Sequence, residues 1–302
     1  MREEFFAISR RGSSHFASGK PLQDASKAVK GEDYCIAVVC DGHGGEKHFR
    51  SEIGSNYAAD VAIEKFEEFV KAYPTYESVS GTEETERIRR LKISILSEWQ
   101  RLLDDYTKDH PFTEGEEKNF SNTFRGRKDY DVRIAYGTTL LAALVAKDYY
   151  LLMVIGDGAI IKIKRDFSAE VMTFEGKYEY TEGPHSATDS LCQPECFSKI
   201  FTRLEKTDDP MLAFGLCSDG LTESYETDEA LCKKMVNYLN FLAEEGMKAT
   251  EEAVGEQLDQ ISRLASKDDI SVAFATNCLS AFDKRSAEEK QTAQQNNMKE
   301  EK

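Results

Sequence analysis

The stretch "CIAVVCDGHGGEKHF", residues 35–49, carries an unbroken apolar run straight into Asp41-Gly-His-Gly-Gly. A continuously apolar run of this length reads as a strand buried on both faces, because a half-exposed strand would alternate apolar and polar positions. Asp-Gly and Gly-Gly are ordinary turn formers, since glycine reaches positive φ without steric cost. Taken alone, then, Asp41 and His43 mark no more than a turn. The pattern recurs, however. "YYLLMVI" (149–155) is followed by Gly156-Asp157-Gly158, "MLAFGLCS" (211–218) runs into Asp219-Gly220, and "DDISVAFATN" (268–277) begins on two aspartates.

Around these strand ends the chain reads as one globular domain. Its 302 residues are 40% hydrophobic and 31% charged, enough for a large core. The longest apolar runs, such as "AYGTTLLAALVA" (135–146), fall well short of a membrane span. The start "MREEFFAISRRGSS" lacks the basic segment and apolar core of a secretory signal. Seven cysteines without regular spacing suit a reducing cytoplasm better than a disulfide framework, and Cys192 and Cys196 read as loop thiols. The net charge of −16 shows no basic stripe for a nucleic acid and is compatible with carboxylates gathered around divalent cations.

After the glycines, Phe49, Ile53, Tyr57 and Val61 recur at helical spacing, with Ala58, Ala62 and Phe66 beside them. A second amphipathic helix is predicted over about 84–108, with Ile88, Leu91, Ile95, Trp99 and Leu103 on one face. Residues 110–133 read as loop. "TTLLAALVA", "YYLLMVI" and "AIIKIK" read as a hairpin meander, and 175–200 as an irregular excursion. Helices are expected at about 228–245 and 249–265. From 282 to 302 the chain has almost no apolar residues and reads as a disordered or frayed tail to a domain spanning 1–281.

Asp41, Asp157 and Asp219 end apolar strands, Asp268 and Asp269 precede one, and Asp24 in "GKPLQDAS" stands just before another. Strand ends converging on one edge of a layered fold would bring these carboxylates together, where they repel unless a cation neutralises them. Mg²⁺ and Mn²⁺ take oxygen ligands of this kind. Asp41-Gly and Asp219-Gly lead into helical patterns, which tight hairpins do not. Asp157-Gly fits a hairpin turn as well as it fits a ligand. Other hydrolase patterns are absent: "GSSHFASGKP" (12–21) has the wrong glycine spacing for a phosphate loop, "KDYDVR" (128–133) follows a basic run rather than a strand, no cysteine has an arginine six positions later, and there is no Gly-x-Ser-x-Gly elbow.

The ordered set "LQDAS" (22–26), "VVCDGHGG" (38–45), "YGTTL" (136–140), "VIGDGAI" (154–160), "GLCSDGLTE" (215–223) and "DDISVA" (268–273) resembles the metal-dependent protein phosphatases of type 2C. The segments "GSSHFASGKPLQDA" and "GPHSATDSLC" look like a bacterial branch of that family. The resemblance implies an α+β fold, a four-layer αββα sandwich of two mainly antiparallel β-sheets flanked by helices, with metals in a channel at one end. It implies hydrolysis of phosphoserine and phosphothreonine in proteins by a hydroxide bridging two divalent metals, Mn²⁺ or Mg²⁺, with a weaker third.

Carried over by position, Asp41 matches the bridging carboxylate and the Gly42 carbonyl a further ligand. Asp219 and Asp268 match the other core carboxylates, Asp24 an acidic residue acting through metal-bound water, and Asp157 the ligand of the third metal. His43 matches a histidine that protonates the leaving oxygen. The resemblance also implies a phosphorylated protein substrate and a cognate Ser/Thr kinase, with no nucleic-acid or membrane partner and a monomeric protein. Gln23 stands where many members have Glu, and Gly19 where the family commonly has a phosphate-gripping Arg, so the grip falls to nearby Lys20. The alternative is a non-catalytic module that kept the fold as a regulator; such a module should have lost a core carboxylate, and this chain keeps them all.

Overall fold

Strands apolar on both faces need cover on both sides, and in the computed structural model, which describes residues 3–124, 131–174, 188–208 and 212–283, they have it. One sheet is built from β1 (Glu3–Glu4), β3 (Ala25–Lys30), β4 (Cys35–Cys40), β5 (Leu140–Val145), β6 (Tyr149–Ile155) and β9 (Phe201–Lys206), hydrogen-bonded in that order. The other runs β2 (Ala7–Arg10), β11 (Ile270–Thr276), β10 (Ala213–Cys217), β7 (Ala159–Ile163) and β8 (Ala169–Val171). Every strand pair is antiparallel.

The period-2 alternation of side chains divides each strand between two cores. In β4, Cys35, Ala37 and Val39 face the second sheet, joined by Leu141, Ala143, Leu152, Phe214, Leu216, Ala273 and Ala275. Ile36, Val38 and Cys40 face outward onto helices α2 (Ser51–Ala72) and α4 (Glu84–Asp109), meeting Ala58, Ala62, Phe66, Ile95 and Trp99. Across the second sheet, Ile161, Cys217, Val272 and Phe274 pack on Leu231, Met235, Leu239 and Leu258 of α8 (Asp228–Leu264). The result is helix, sheet, sheet, helix: the αββα sandwich. The smaller helices are α1 (Ser13–Ser18), α3 (Tyr76–Val79), α5 (Glu114–Thr123), α6 (Cys196–Lys199) and α7 (Asp219–Thr222).

Four features correct the sequence reading. First, β6 and β7 are not a hairpin. They belong to different sheets, so "GDG" at 156–158 is a crossover, and the meander ends at β6. Gly156 makes the departure, with φ +107°; a Cβ there would lie 2.4 Å from Thr139 Cγ2. Second, residues 114–123 within the expected loop form α5, started by a capping box between Thr113 and Glu116 and anchored by fully buried Phe120. The two expected C-terminal helices are both present, meeting within α8 at Gly246, whose φ of +79° breaks the helix. Third, Cys196 opens α6 rather than lying in a loop, while Cys192 lies in a turn as read; both are buried. Fourth, Phe282 is fully buried against Phe167, so packed structure reaches into the segment read as tail. Residues 284–302 and 175–187 lie outside the described residues, and with them most of the tail and half of the polar excursion. Among the described residues no helix is long and apolar enough to cross a membrane.

Candidate metal centre

Strand register brings the aspartates together. In the β3–β4 pair Ala25 faces Cys40, so one step further Asp24 stands beside Asp41. In the β7–β10 pair Cys217 faces Ala159, and two steps on Asp219 stands beside Asp157. The crossover between sheets therefore matters to the site: it delivers Asp157 to the same edge as Asp219.

The Asp41 backbone is pinned by the threonines of "YGTT". Its N–H donates to Thr139 Oγ1 at 2.9 Å, and its carbonyl accepts from the Thr139 N–H and the Thr138 hydroxyl, each at 2.9 Å. Gly42 bridges to Thr138 on one side and on the other lies against the Gln23 carbonyl, where a Cβ would come within 2.2 Å of the oxygen. Gly220 likewise leaves room for the Asp269 carbonyl, 2.1 Å from where its Cβ would be. Neither glycine has positive φ. These Asp-Gly pairs need glycine for close backbone approach rather than for a turn, which corrects the simple sequence reading.

Asp24 is 3% exposed; its Oδ2 accepts the Ser271 hydroxyl at 2.8 Å. Burial and the neighbouring Asp269 charge push its carboxyl up to about 8. The Asp41 and Asp219 carboxyls hydrogen-bond each other. Burial raises Asp219 to about 6, with Asp157 and Asp268 adding repulsion, and burial with Asp24, Asp219 and Asp157 drives Asp41 well above the carboxylate range. Asp157 is exposed and accepts a hydrogen bond from Thr188. Carboxylates carried by both sheets thus feel one another. Asp268 stands at the rim, its side chain 53% exposed.

The His43 and His48 rings lie 4.9 Å apart between centroids, tilted by 55°, and pack over Gly137, where a Cβ would be 2.5 Å from His48 Nδ1 and 2.8 Å from His43 Cδ2. His48 Nδ1 lies 2.5 Å from the Ile134 carbonyl, the contact of an Nδ1–H donor. Burial lowers both imidazoles to about 4. Together with Lys47, Phe124, Ile134 and Thr188 they line a cavity of about 380 Å³ beside Asp157. Lys20 is exposed, its Nζ donating to the Gly44 carbonyl at the edge of the glycine loop. Sequence reasoning missed Thr188, Ser271 and His48; it placed Asp269 among the strand-end carboxylates without a separate role, and gave no role to the threonines Thr138 and Thr139. The "YGTT" motif was in view, but nothing in it says which backbone it would hold.

The family model described as protein phosphatase 2C matches residues 11–260. The chain belongs to the protein phosphatase 2C family. Solved structures with this fold include a bacterial serine phosphatase at 17% identity and TM-score 0.50, covering 91% of this chain and 98% of that one. The catalytic domain of the serine/threonine protein phosphatase PstP, in complex with two manganese ions, matches at 17% identity and TM-score 0.50, covering 90% and 96%. PppA, a regulatory component of T6SS in Pseudomonas aeruginosa, matches at 15% identity and TM-score 0.52, covering 91% and 99%. At these identities the likeness is one of fold. No curated protein matches the chain.

A type 2C phosphatase calls for divalent cations, and the residues fit them. The site is hard oxygen donors at strand ends, ranging from buried Asp24 to exposed Asp157 and Asp268, and the Asp41 and Asp219 carboxyls lie together by sharing a hydrogen bond. A divalent cation answers the repulsion among these carboxylates with charge to spare.

Proposed function

We propose that the protein is a metal-dependent phosphatase that hydrolyses phosphoserine and phosphothreonine in proteins, with Asp41, Asp219 and Asp268 holding two divalent cations, Mn²⁺ or Mg²⁺, and Asp157 a weaker third. The observation that carries this reading is the carboxylate cluster at one edge of the sandwich, whose members raise one another's affinity for protons. When bound, the cations supply Lewis-acid activation of water, whose pKa falls from 15.7 toward about 7, and neutralise phosphate charge.

The chain's own residues do the rest. Thr138 and Thr139 hold the Asp41 backbone still and so set where its carboxylate can point. The Gly42 carbonyl adds an oxygen, and Asp24, held by Ser271, orders water at the inner side of the site. Lys20, beside the glycine loop, supplies positive charge for the phosphate. His43 hands a proton to the leaving Ser or Thr oxygen; being neutral in the free site, it depends on the arriving phosphate dianion to take that proton up. No covalent intermediate is required, in keeping with the lack of a nucleophilic Cys or Ser motif.

The substrate is then a phosphorylated protein, with a cognate Ser/Thr kinase, acted on by a monomeric cytoplasmic enzyme; seven free cysteines suit that compartment. A non-catalytic regulator with the same fold would not need the whole carboxylate set. The test is phosphate release from phosphoserine and phosphothreonine peptides with millimolar Mn²⁺ and with chelator. Release that needs the metal is expected; no release from any peptide at saturating Mn²⁺ would leave the regulator.

A further inference from the structure

Asp269 follows the ligand candidate Asp268 but lives in a different environment. It is 2% exposed, and both its oxygens are taken by backbone. Oδ1 accepts the Gly12 N–H at 2.6 Å; Oδ2 accepts the Gln23 N–H at 2.6 Å and the Asp24 N–H at 3.4 Å. All three donors lie on the segment between β2 and β3 that carries α1. One buried carboxylate therefore ties both ends of this segment to the start of β11, through charge-assisted bonds that are stronger than neutral ones.

His15, on α1 and 7% exposed, closes over the pair, with Nδ1 2.8 Å from Asp269 Oδ1 and Nε2 3.5 Å from Asp268 Oδ1. The Nδ1 contact is off the hydrogen-bond line, so His15 is a close polar neighbour of both aspartates that forms an ion pair with them when its imidazole is protonated. Among the described residues, His15, Asp268 and Asp269 are the trio whose ligand atoms lie within 4.8 Å of one another. A cation between them is disfavoured, because three backbone N–H groups already point their positive ends at the Asp269 oxygens.

The held segment reaches the metal centre directly. Asp24 has its N–H on Asp269 and its carboxylate on Ser271, two residues along β11. The Gln23 carbonyl lies against Gly42, and the Gln23 side-chain amide donates to the His43 carbonyl at 3.3 Å. Any slip of residues 23–24 is felt by the Asp41 loop. We infer that Asp269 is a positioning residue for the metal centre, fixing Asp24 and the Asp41 loop without itself touching a cation. The inference rests on the phosphatase reading above.

The test is Mn²⁺ binding by calorimetry to wild type and Asp269→Asn. The amide keeps the volume but sets an NH₂ against either the Gly12 or the Gln23 N–H, whichever way it faces. The Mn²⁺ Kd is expected to rise about 10- to 100-fold, as for partners that orient ligands. A role in stability alone would lower the unfolding temperature and leave the Kd where it was. A folded Asp269→Asn with wild-type Kd overturns the inference. Should the variant not fold, amide exchange in the wild type decides: Gly12 and Gln23 N–H groups exchanging at the unfolded-chain rate overturn it, and slow exchange at both supports it. The phosphatase reading is judged separately, on phosphate release by the wild type.

Discussion

Gly42→Ala probes the closest contact in the site. The new Cβ would sit 2.2 Å from the Gln23 carbonyl oxygen and 2.9 Å from its carbon, where ordinary contact begins at 3.4 Å. Gln23 has little freedom to retreat: its carbonyl accepts the Ser55 hydroxyl at 2.5 Å and its N–H is on Asp269. On the other side Gly42 is bridged to Thr138. Relief requires the Asp24 and Asp41 segments to part by about 1 Å, at a packing cost of roughly 1–3 kcal/mol. A displacement of about 1 Å at a reacting centre costs on the order of 100-fold in rate, or about 2.7 kcal/mol. Gly115→Ala in α5, where the nearest atom is 3.9 Å from the new Cβ, serves as control. The assay is kcat/KM on a phosphopeptide at saturating Mn²⁺, with denaturant unfolding alongside. Wild-type turnover in folded Gly42→Ala would refute the view that this glycine sets the spacing of the two carboxylate-bearing segments.

Two further outcomes follow from the same geometry. With the hairpin excluded, Asp157→Ala should cost little stability but lower turnover about tenfold or more, equivalent to about 1.4 kcal/mol, and calorimetric Mn²⁺ titration should lose its weakest phase; unchanged turnover would make Asp157 a bystander. In the metal-free protein, Asp24 at about 8 keeps a proton that an unfolded Asp, near 3.8, has lost. Stability should therefore fall as pH rises from 6.5 to 8, by up to about 1.4 kcal/mol per pH unit for one proton. His43 and His48, lowered to about 4, contribute only below 6.5 and with the opposite slope. Saturating Mn²⁺ should abolish the slope, and a slope equal with and without metal would contradict the cluster's role.

The strand ending at Asp41 was legible because six consecutive buried positions leave no other reading of 35–40. The α4 face was equally plain, since Ile88, Leu91, Ile95, Trp99 and Leu103 are all buried. Sheet membership was not legible: β6 and β7 are apolar throughout, and periodicity cannot tell a hairpin from a crossover. Helix α5 escaped because Phe120 is its lone buried anchor, although the Thr113–Glu116 capping box was open to view. Asp41, Asp157 and Asp219 could be picked out by their strand-end positions. Asp268 and Asp269 look alike in sequence, and their separation into an exposed and a buried carboxylate depends on partners such as Gly12, 257 residues away from Asp269. Contacts of that span leave no local pattern.

The central claim is that Asp41 turns over phosphoester through the cations it holds. Its most direct test is phosphate release by Asp41→Asn at saturating Mn²⁺, beside wild type, with folding checked by unfolding and bound Mn²⁺ counted by calorimetry. The amide keeps the shape but lacks the negative charge that would hold the cations. The expected result is a folded protein with fewer bound Mn²⁺ ions and release at the chelated background. Full release by Asp41→Asn would contradict the account.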